Sequence, residues 1–151
     1  MSAYKSHEEF IFELSLIYPD ITVLEIYTKN DIKLLIKDSL YIKYLASPRD
    51  MLRKDRGRKP SVHTALDKND WFIKHANFKC RDKFDYSKVN YINGKTPVTI
   101  ICPIHDEFKQ KTITHLRTKV IHGCPKCGKN LPKLWTDNQI YTDAYFYILP
   151  F

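Results

Sequence analysis

Apolar residues recur at helical spacing from Phe10 through Leu14 to Ile17, and again from Trp71-Phe72-Ile73, and each set is followed by short stretches in which apolar and polar residues alternate. The first helix is predicted to begin behind Ser6, which forms a capping box with Glu9 three residues on, each side chain bonding the other's backbone N–H. It should run to about Tyr18, where Pro19-Asp20 stops it. The alternation predicts strands over Ile21–Tyr27, Ile32–Lys37 and Tyr41–Leu45, with polar turns at Lys29-Asn30-Asp31 and Asp38-Ser39. Pro48 suits the first turn of a short helix reaching Arg53. The second set reads alike: a helix over Asp70–Lys79, strands near Phe84–Tyr91, Pro97–Cys102 and Glu107–Gln110, then a short helix over Thr112–Val120. Asn93-Gly94 reads as a hairpin turn between strands. The aromatics Trp71, Phe72, Phe84, Tyr86 and Tyr91 have the spacing of a core, with base stacking as the lesser use.

The two sets share more than an order of elements. Tyr27 to Arg53 aligns without gaps on Tyr91 to Arg117, so that Tyr27 meets Tyr91, Ile36 meets Ile100, Tyr44 meets Phe108, and Leu52-Arg53 meets Leu116-Arg117. The expected fold class is therefore α+β, two small tandem helix-plus-hairpin modules. The first occupies residues 1–53, a basic linker 54–68, the second module 69–130 and a tail 131–151.

A length of 151 residues allows one ordinary domain or two small modules and excludes a large multidomain enzyme. Twenty-five Lys and Arg against 17 Asp and Glu give a net charge of +8, which favours a polyanionic partner, nucleic acid before anionic membrane. The positive charge concentrates between the modules, where six of the eleven residues from Arg49 to Lys59 are basic. Arg53, Lys54, Arg56, Arg58 and Lys59 are accordingly read as phosphate contacts, with a solvated linker as the plainer alternative. Arg56-Gly57-Arg58-Lys59-Pro60 is also similar to the AT-hook core, from which Lys59 departs as an insertion. No apolar run approaches the roughly 20 residues that span a bilayer, and the N-terminus lacks a signal-peptide core, so the expectation is a cytoplasmic protein with no membrane partner. Disulfides are rare in that compartment, so paired cysteines point to metal or catalysis.

Cys102-Pro103-Ile104-His105 is followed, after eighteen intervening residues, by Cys124-Pro125-Lys126-Cys127-Gly128. Two donors separated by two residues can hold one metal from a tight turn, and two such pairs complete a zinc tetrahedron. Proline after the first cysteine of each pair stiffens the turn, and Gly128 is expected to leave the second at positive φ. One structural Zn²⁺ on Cys102, His105, Cys124 and Cys127 follows, with no position left for catalytic water. Cys80 reads as an ordinary semi-buried cysteine, and His115 and His122 as weaker candidates to replace a ligand. The first module has Asp38 and Tyr41 where the second has Cys102 and His105, so it cannot hold the same zinc and must depend on apolar packing.

Phe72-Ile73, Ala76, Asp82-Lys83-Phe84-Asp85-Tyr86-Ser87-Lys88-Val89, Val98 to His105 and Gly123 to Gly128 resemble a small treble-clef-like zinc-finger module of bacteriophage proteins, found beside GIY-YIG and other homing-type endonuclease domains. The resemblance covers about Asp70 to Lys129. This chain has Cys80-Arg81 where the family has His-Gly, and Asp106 where it has Gly; neither departure touches a ligand. Tyr145-Phe146-Tyr147-Ile148-Leu149 looks like the first strand of the nuclease that follows the finger in such proteins, a plain strand being the other reading. The second tyrosine motif, the arginine and the metal-binding glutamate of that nuclease are not found after it. The resemblance implies a non-catalytic zinc-containing nucleic-acid-binding protein, with double-stranded DNA as its partner, acting in the bacterial host cytoplasm if phage-encoded. The alternative is a phage-encoded factor that targets a host protein.

Overall fold

A computed structural model describes residues 5–53, 57, 59–117 and 123–129. The tail 131–151, Lys54, Arg56, Arg58, His122 and the expected end of the helix over Thr112–Val120 lie outside the described residues. The architecture is mixed: five helices, a three-stranded antiparallel sheet and a separate two-stranded one among the described residues.

Helix α1 (His7–Ile17) starts where the capping box places it, with both reciprocal bonds made, Glu9 N–H to Ser6 Oγ and Ser6 N–H to Glu9 Oε2. Phe10 and Leu14 are buried, but Ile17 is half exposed rather than part of the core face. The stretch expected to be one strand over Ile21–Tyr27 pairs only as β1 (Thr22–Val23) against β2 (Leu34–Lys37). The reason is local. The Glu25 carboxylate takes the Leu35 N–H that a continuing strand would have used, and the Tyr27 N–H turns to His7 Nδ1. That detour lets the Tyr27 ring stack on Phe10, centroids 4.5 Å apart. Strand β3 (Lys43–Ala46) completes the sheet, and α2 (Pro48–Met51) ends short of Arg53.

Residues 61–66, assigned from sequence to the linker, run beside β3. Leu45 N–H donates to Thr64 C=O and Leu66 N–H to Lys43 C=O, so the chain leaves the first sheet only just before α3 (Lys68–Cys80). Asp67 caps α3 by accepting from Asn69 N–H and Asp70 N–H. The helix ends through two non-glycine residues at positive φ, Arg81 and Asp82, a conformation that glycine adopts most readily. The apolar alternation from Phe84 to Tyr91 does not form a strand. Asp85 exchanges both backbone bonds with Ile101, the chain then turns at Tyr86–Val89, and the apolar side chains anchor a loop on the core. Asn93-Gly94 is likewise no hairpin: Asn93 Oδ1 accepts from Lys95 and Thr96 N–H, a side-chain-stabilised turn that leads into β4 (Pro97–Cys102). The true hairpin joins β4 to β5 (Asp106–Lys111) through Pro103-Ile104-His105, and α4 (Thr112–Arg117) follows directly. Helix α5 (Pro125–Lys129) carries the second cysteine pair.

The gapless alignment of the sequence reappears as equivalent hydrogen bonds. Ile36 pairs with Tyr44 as Ile100 pairs with Phe108, Leu34 with Ala46 as Val98 with Gln110. Arg49 N–H donates to Asn30 C=O at 3.0 Å, and Ile113 N–H to Gly94 C=O at 3.0 Å. Each hairpin closes over its own core, one around Phe10, Ile36 and Met51, the other around Phe72, Ile100 and Cys102, and Trp71 packs against both.

Where the second hairpin has its metal-type turn, the first has Asp38. Its Oδ1 accepts from Leu40 and Ile42 N–H, both at 3.0 Å, and its Oδ2 accepts from the Tyr44 hydroxyl at 2.7 Å. Burial first, and then the neighbouring Asp38 carboxylate, raise the Tyr44 phenol far above its ordinary pKa, so it remains a donor. Asp38→Ala removes the acceptor for three hydrogen bonds at a partly buried turn and is expected to cost about 2–3 kcal/mol, read as a lowered midpoint in urea unfolding followed by the first module's tyrosine fluorescence, with zinc content unchanged.

Candidate metal centre

Four side chains converge where β4, the β4–β5 turn and α5 meet. Cys102 ends β4, His105 sits in the turn, Cys124 precedes α5 and Cys127 lies in its first turn. Their ligand atoms lie within 4.8 Å of one another. Cys102 Sγ is 3.7 Å from Cys127 Sγ, far longer than a disulfide bond of about 2.05 Å. His105 Nδ1 is 3.8 Å from Cys102 Sγ, 3.8 Å from Cys124 Sγ and 3.3 Å from Cys127 Sγ. Zinc held at about 2.3 Å from sulfur and about 2.05 Å from nitrogen, at tetrahedral angles, needs edges of about 3.8 Å between sulfurs and about 3.5 Å from sulfur to nitrogen. The donor set and its spacing are compatible with one zinc ion. Cys102 and Cys124 are 1% exposed and Cys127 9%, with His105 half-buried, so a metal here would be largely closed off by protein.

The surroundings favour a thiolate at Cys102. Burial pushes the Cys102 thiol up, but the backbone N–H groups of Ile104 and His105, with the His105 ring, outweigh it and bring it down to about 6. Burial and the adjacent Cys102 thiol raise Cys127, against the pull of Lys83, whose Nζ lies 3.7 Å from Cys127 Sγ. Three thiolates around a divalent cation leave a net negative charge, and Lys83 is placed to offset it. Gly128 does not take positive φ as its role in the sequence motif suggested; it continues α5, its N–H donating to Cys124 C=O. The glycine that the site does require is Gly123, where a Cβ would fall 2.4 Å from Phe84 Cε2 and 3.2 Å from His115 Cε1. Only a bare backbone can return past those rings to place Cys124.

His115 is not part of the cluster. It is fully buried, with Nδ1 2.8 Å from Gln110 Oε1 and Nε2 2.9 Å from the Tyr86 hydroxyl and 3.7 Å from Cys80 Sγ. A neutral ring with its proton on Nδ1 satisfies both partners, donating to Gln110 and accepting from Tyr86. The signal for this role was in the alignment, which sets His115 on Met51, a buried position of the first core. Cys80 is buried beside it rather than semi-buried, and burial raises its thiol, as burial raises the Tyr86 phenol.

Of the linker cations assigned to phosphate, Arg53 is exposed at the end of the first module, and Lys59 is exposed and pairs with Asp20 at 2.9 Å. Lys54, Arg56 and Arg58 lie outside the described residues. Among the described residues no helix is long and apolar enough to cross a membrane.

Residues 67–128, which contain all four donors and begin at the cap of α3, match a family described as "Protein of unknown function (DUF723)". The chain is similar to viral proteins. Two uncharacterized proteins of Acanthamoeba polyphaga mimivirus are 34% identical over 102 residues and 30% identical over 110 residues. These matches cover 66% and 73% of this chain but 38% and 37% of the relatives, so the chain spans under two fifths of their length. No solved structure gives a significant match.

Two outcomes follow from this geometry. Purified protein is expected to carry one zinc per chain, and Cys124→Ser to lose it and unfold the second module while the first stays folded; elemental analysis and amide exchange resolved by module check both, and a variant with full zinc content removes the assignment. Burial lowers His115 from 6.5 to about 4, against a smaller opposing effect of the Gly123 backbone. The unfolded chain therefore binds more protons across that window, and stability is full above pH 6.5 and falls as the pH drops toward 4. His115→Gln should flatten that slope by up to about one proton, measured as denaturation midpoints of the two proteins between those pH values.

Proposed function

We propose that the chain is a non-catalytic, zinc-stabilised nucleic-acid-binding protein in which the ion holds the second module together and takes no part in a reaction. The observation that carries the reading is the outward face of the second hairpin. Lys109 and Lys111, two residues apart on β5, point to one side, and both are exposed, as is Lys95 just before β4. Lys59, Lys74 and Lys88 are matched by carboxylates, but Lys95, Lys109 and Lys111 have no ion-pair partner among the described residues. The acidic residue on that face, Glu107, is already paired with Lys88, and three cations without such a partner in a chain of net charge +8 suit a phosphate backbone. The sequence resemblance to the finger that accompanies phage homing-type endonucleases supports the same reading and makes double-stranded DNA the first substrate to test. The four protein donors would fill a zinc tetrahedron, so the proposal includes no cleavage step.

One observation favours a protein partner instead. Phe12 and Leu16, one turn apart on α1, are 65% and 70% exposed, and Ile26 is 74% exposed. Apolar side chains presented in this way suit another protein surface, either a host factor or a part of a longer protein of the relatives' size.

Salt dependence separates the two. DNA binding should weaken steeply with salt, and a variant in which Arg56, Arg58, Lys109 and Lys111 are all replaced by Gln should lower the slope of log K against log salt by about 0.9 for each phosphate no longer neutralised. Fluorescence anisotropy with labelled duplexes at several salt concentrations measures this; an unchanged affinity and slope, or no binding to any nucleic acid, moves the protein-binding reading to first place.

A further inference from the structure

Trp71 and Tyr91 are not absorbed by the second core as Phe72, Phe84 and Tyr86 are: both remain half-buried. They line a cavity of about 310 Å³ whose other walls include Ile92, Ile113, His63 and Lys68. Ile92 and Ile113 are 61% and 39% exposed, an apolar surface the core does not need. The cavity lies at a junction. His63 belongs to the segment hydrogen-bonded along β3 of the first module, whereas Tyr91, Ile92 and Ile113 belong to the second. Its aromatic wall is fixed in advance: the Trp71 ring lies 4.4 Å from that of His75 and meets Tyr91 edge-on at 6.3 Å, and Tyr91 N–H is held by Asn69 Oδ1.

Charge and size decide what such a cavity fits. The volume is at the lower end of the roughly 300–1,000 Å³ of small-ligand sites, too small for a peptide helix and sufficient for one nucleoside. No acidic side chain is among its lining residues. Lys68 and His63 stand in its wall, Lys95 and Lys111 adjoin the lining residues Gly94 and Thr112, and none of the four has an ion-pair partner among the described residues. A flat apolar body with anionic groups at its edge is the complement of this arrangement. We propose that the cavity receives one unstacked nucleobase against Trp71 and Tyr91, with the flanking phosphates on Lys68 and Lys95. The proposal rests on the nucleic-acid reading and adds that the protein prefers strands in which a base is unpaired. The binding would be tolerant of base identity. Two backbone acceptors at the cavity, Asn93 and Gly94 C=O, are already taken by the Thr112 hydroxyl and the Ile113 N–H, and stacking would supply the main attraction.

The test uses the full chain loaded with zinc and carrying Trp135→Phe, which leaves Trp71 as the only tryptophan. Three labelled DNA probes are compared: a perfect duplex, the same duplex with one unpaired thymine, and the single strand. Anisotropy reports binding, and Trp71 emission reports the cavity. The expected result is saturable quenching by the bulged duplex and the single strand in step with anisotropy, and little quenching by the perfect duplex. Ile92→Gln, at an exposed position where folding is indifferent to the change, should reduce the preference for the bulged over the perfect duplex severalfold. Trp71→Leu should reduce it about tenfold. Binding by anisotropy with Trp71 emission unchanged, or a bulge preference that survives Ile92→Gln and Trp71→Leu alike, overturns the base site and leaves the nucleic-acid reading standing. No anisotropy change with any of the three probes overturns the reading itself.

Discussion

A hairpin of two short strands buries one face and leaves its tip loose, so in modules of this size the turn between the strands must be tied to something. The two halves of this chain meet that need with different chemistry at one aligned position. In the second, Cys102 and His105 bring the tip to Cys124 and Cys127, so that a metal would join the hairpin to a helix more than eighteen residues further on. In the first, the Asp38 carboxylate gathers two backbone N–H groups and the Tyr44 hydroxyl within the turn itself. The carboxylate closes the loop locally and brings in no distant segment, which is consistent with a first module that has no counterpart of α5 among the described residues.

The metal-type tie organises more than the turn. It draws the chain at Gly123 against Phe84 and His115, where burial keeps the His115 ring neutral with Tyr86 and Gln110 on its two nitrogens. A buried imidazole with Tyr86 on one nitrogen and Gln110 on the other is costly to protonate, whereas Met51 at the aligned place in the first core carries no such liability. The second module therefore couples its stability to acid through this ring, and a metal held by its thiolates would add a second such coupling, whereas the first module's sequence holds no cysteine.

Much of this was legible in the sequence where the cause is local. The capping box of α1, the donor spacing, and the repeat register all depend on residues a few positions apart or on a fixed offset, and the structure brings the four donors together. The misreadings share one origin, a local pattern serving a non-local purpose. Phe84 and Tyr86, and again Val89 and Tyr91, are spaced like strand residues, yet they anchor a loop because only Asp85 finds a partner on β4. Asn93-Gly94 has the composition of a hairpin turn, but no strand precedes it, and its carbonyls instead receive Thr112 and Ile113. Residues 61–66 have the polarity of a linker and serve as a backbone partner for β3, since an edge strand accepts main-chain bonds whatever its neighbour's side chains are.

That last pairing bears on how the chain could recognise anything. With residues 64–66 bonded to β3 and α3 beginning at Lys68, only Asp67 separates the first sheet from the second module's helix. Trp71 packs against both cores, and Lys74 Nζ reaches Tyr41 C=O at 3.2 Å. The modules are thus joined by main-chain bonds, a shared aromatic and a side-chain bridge rather than by a free tether. A free tether would leave each module to bind alone and gain only from effective concentration. A fixed junction instead sets one spacing between the surfaces of the two modules, so a partner touching both would bind without the entropic cost of ordering the modules on it.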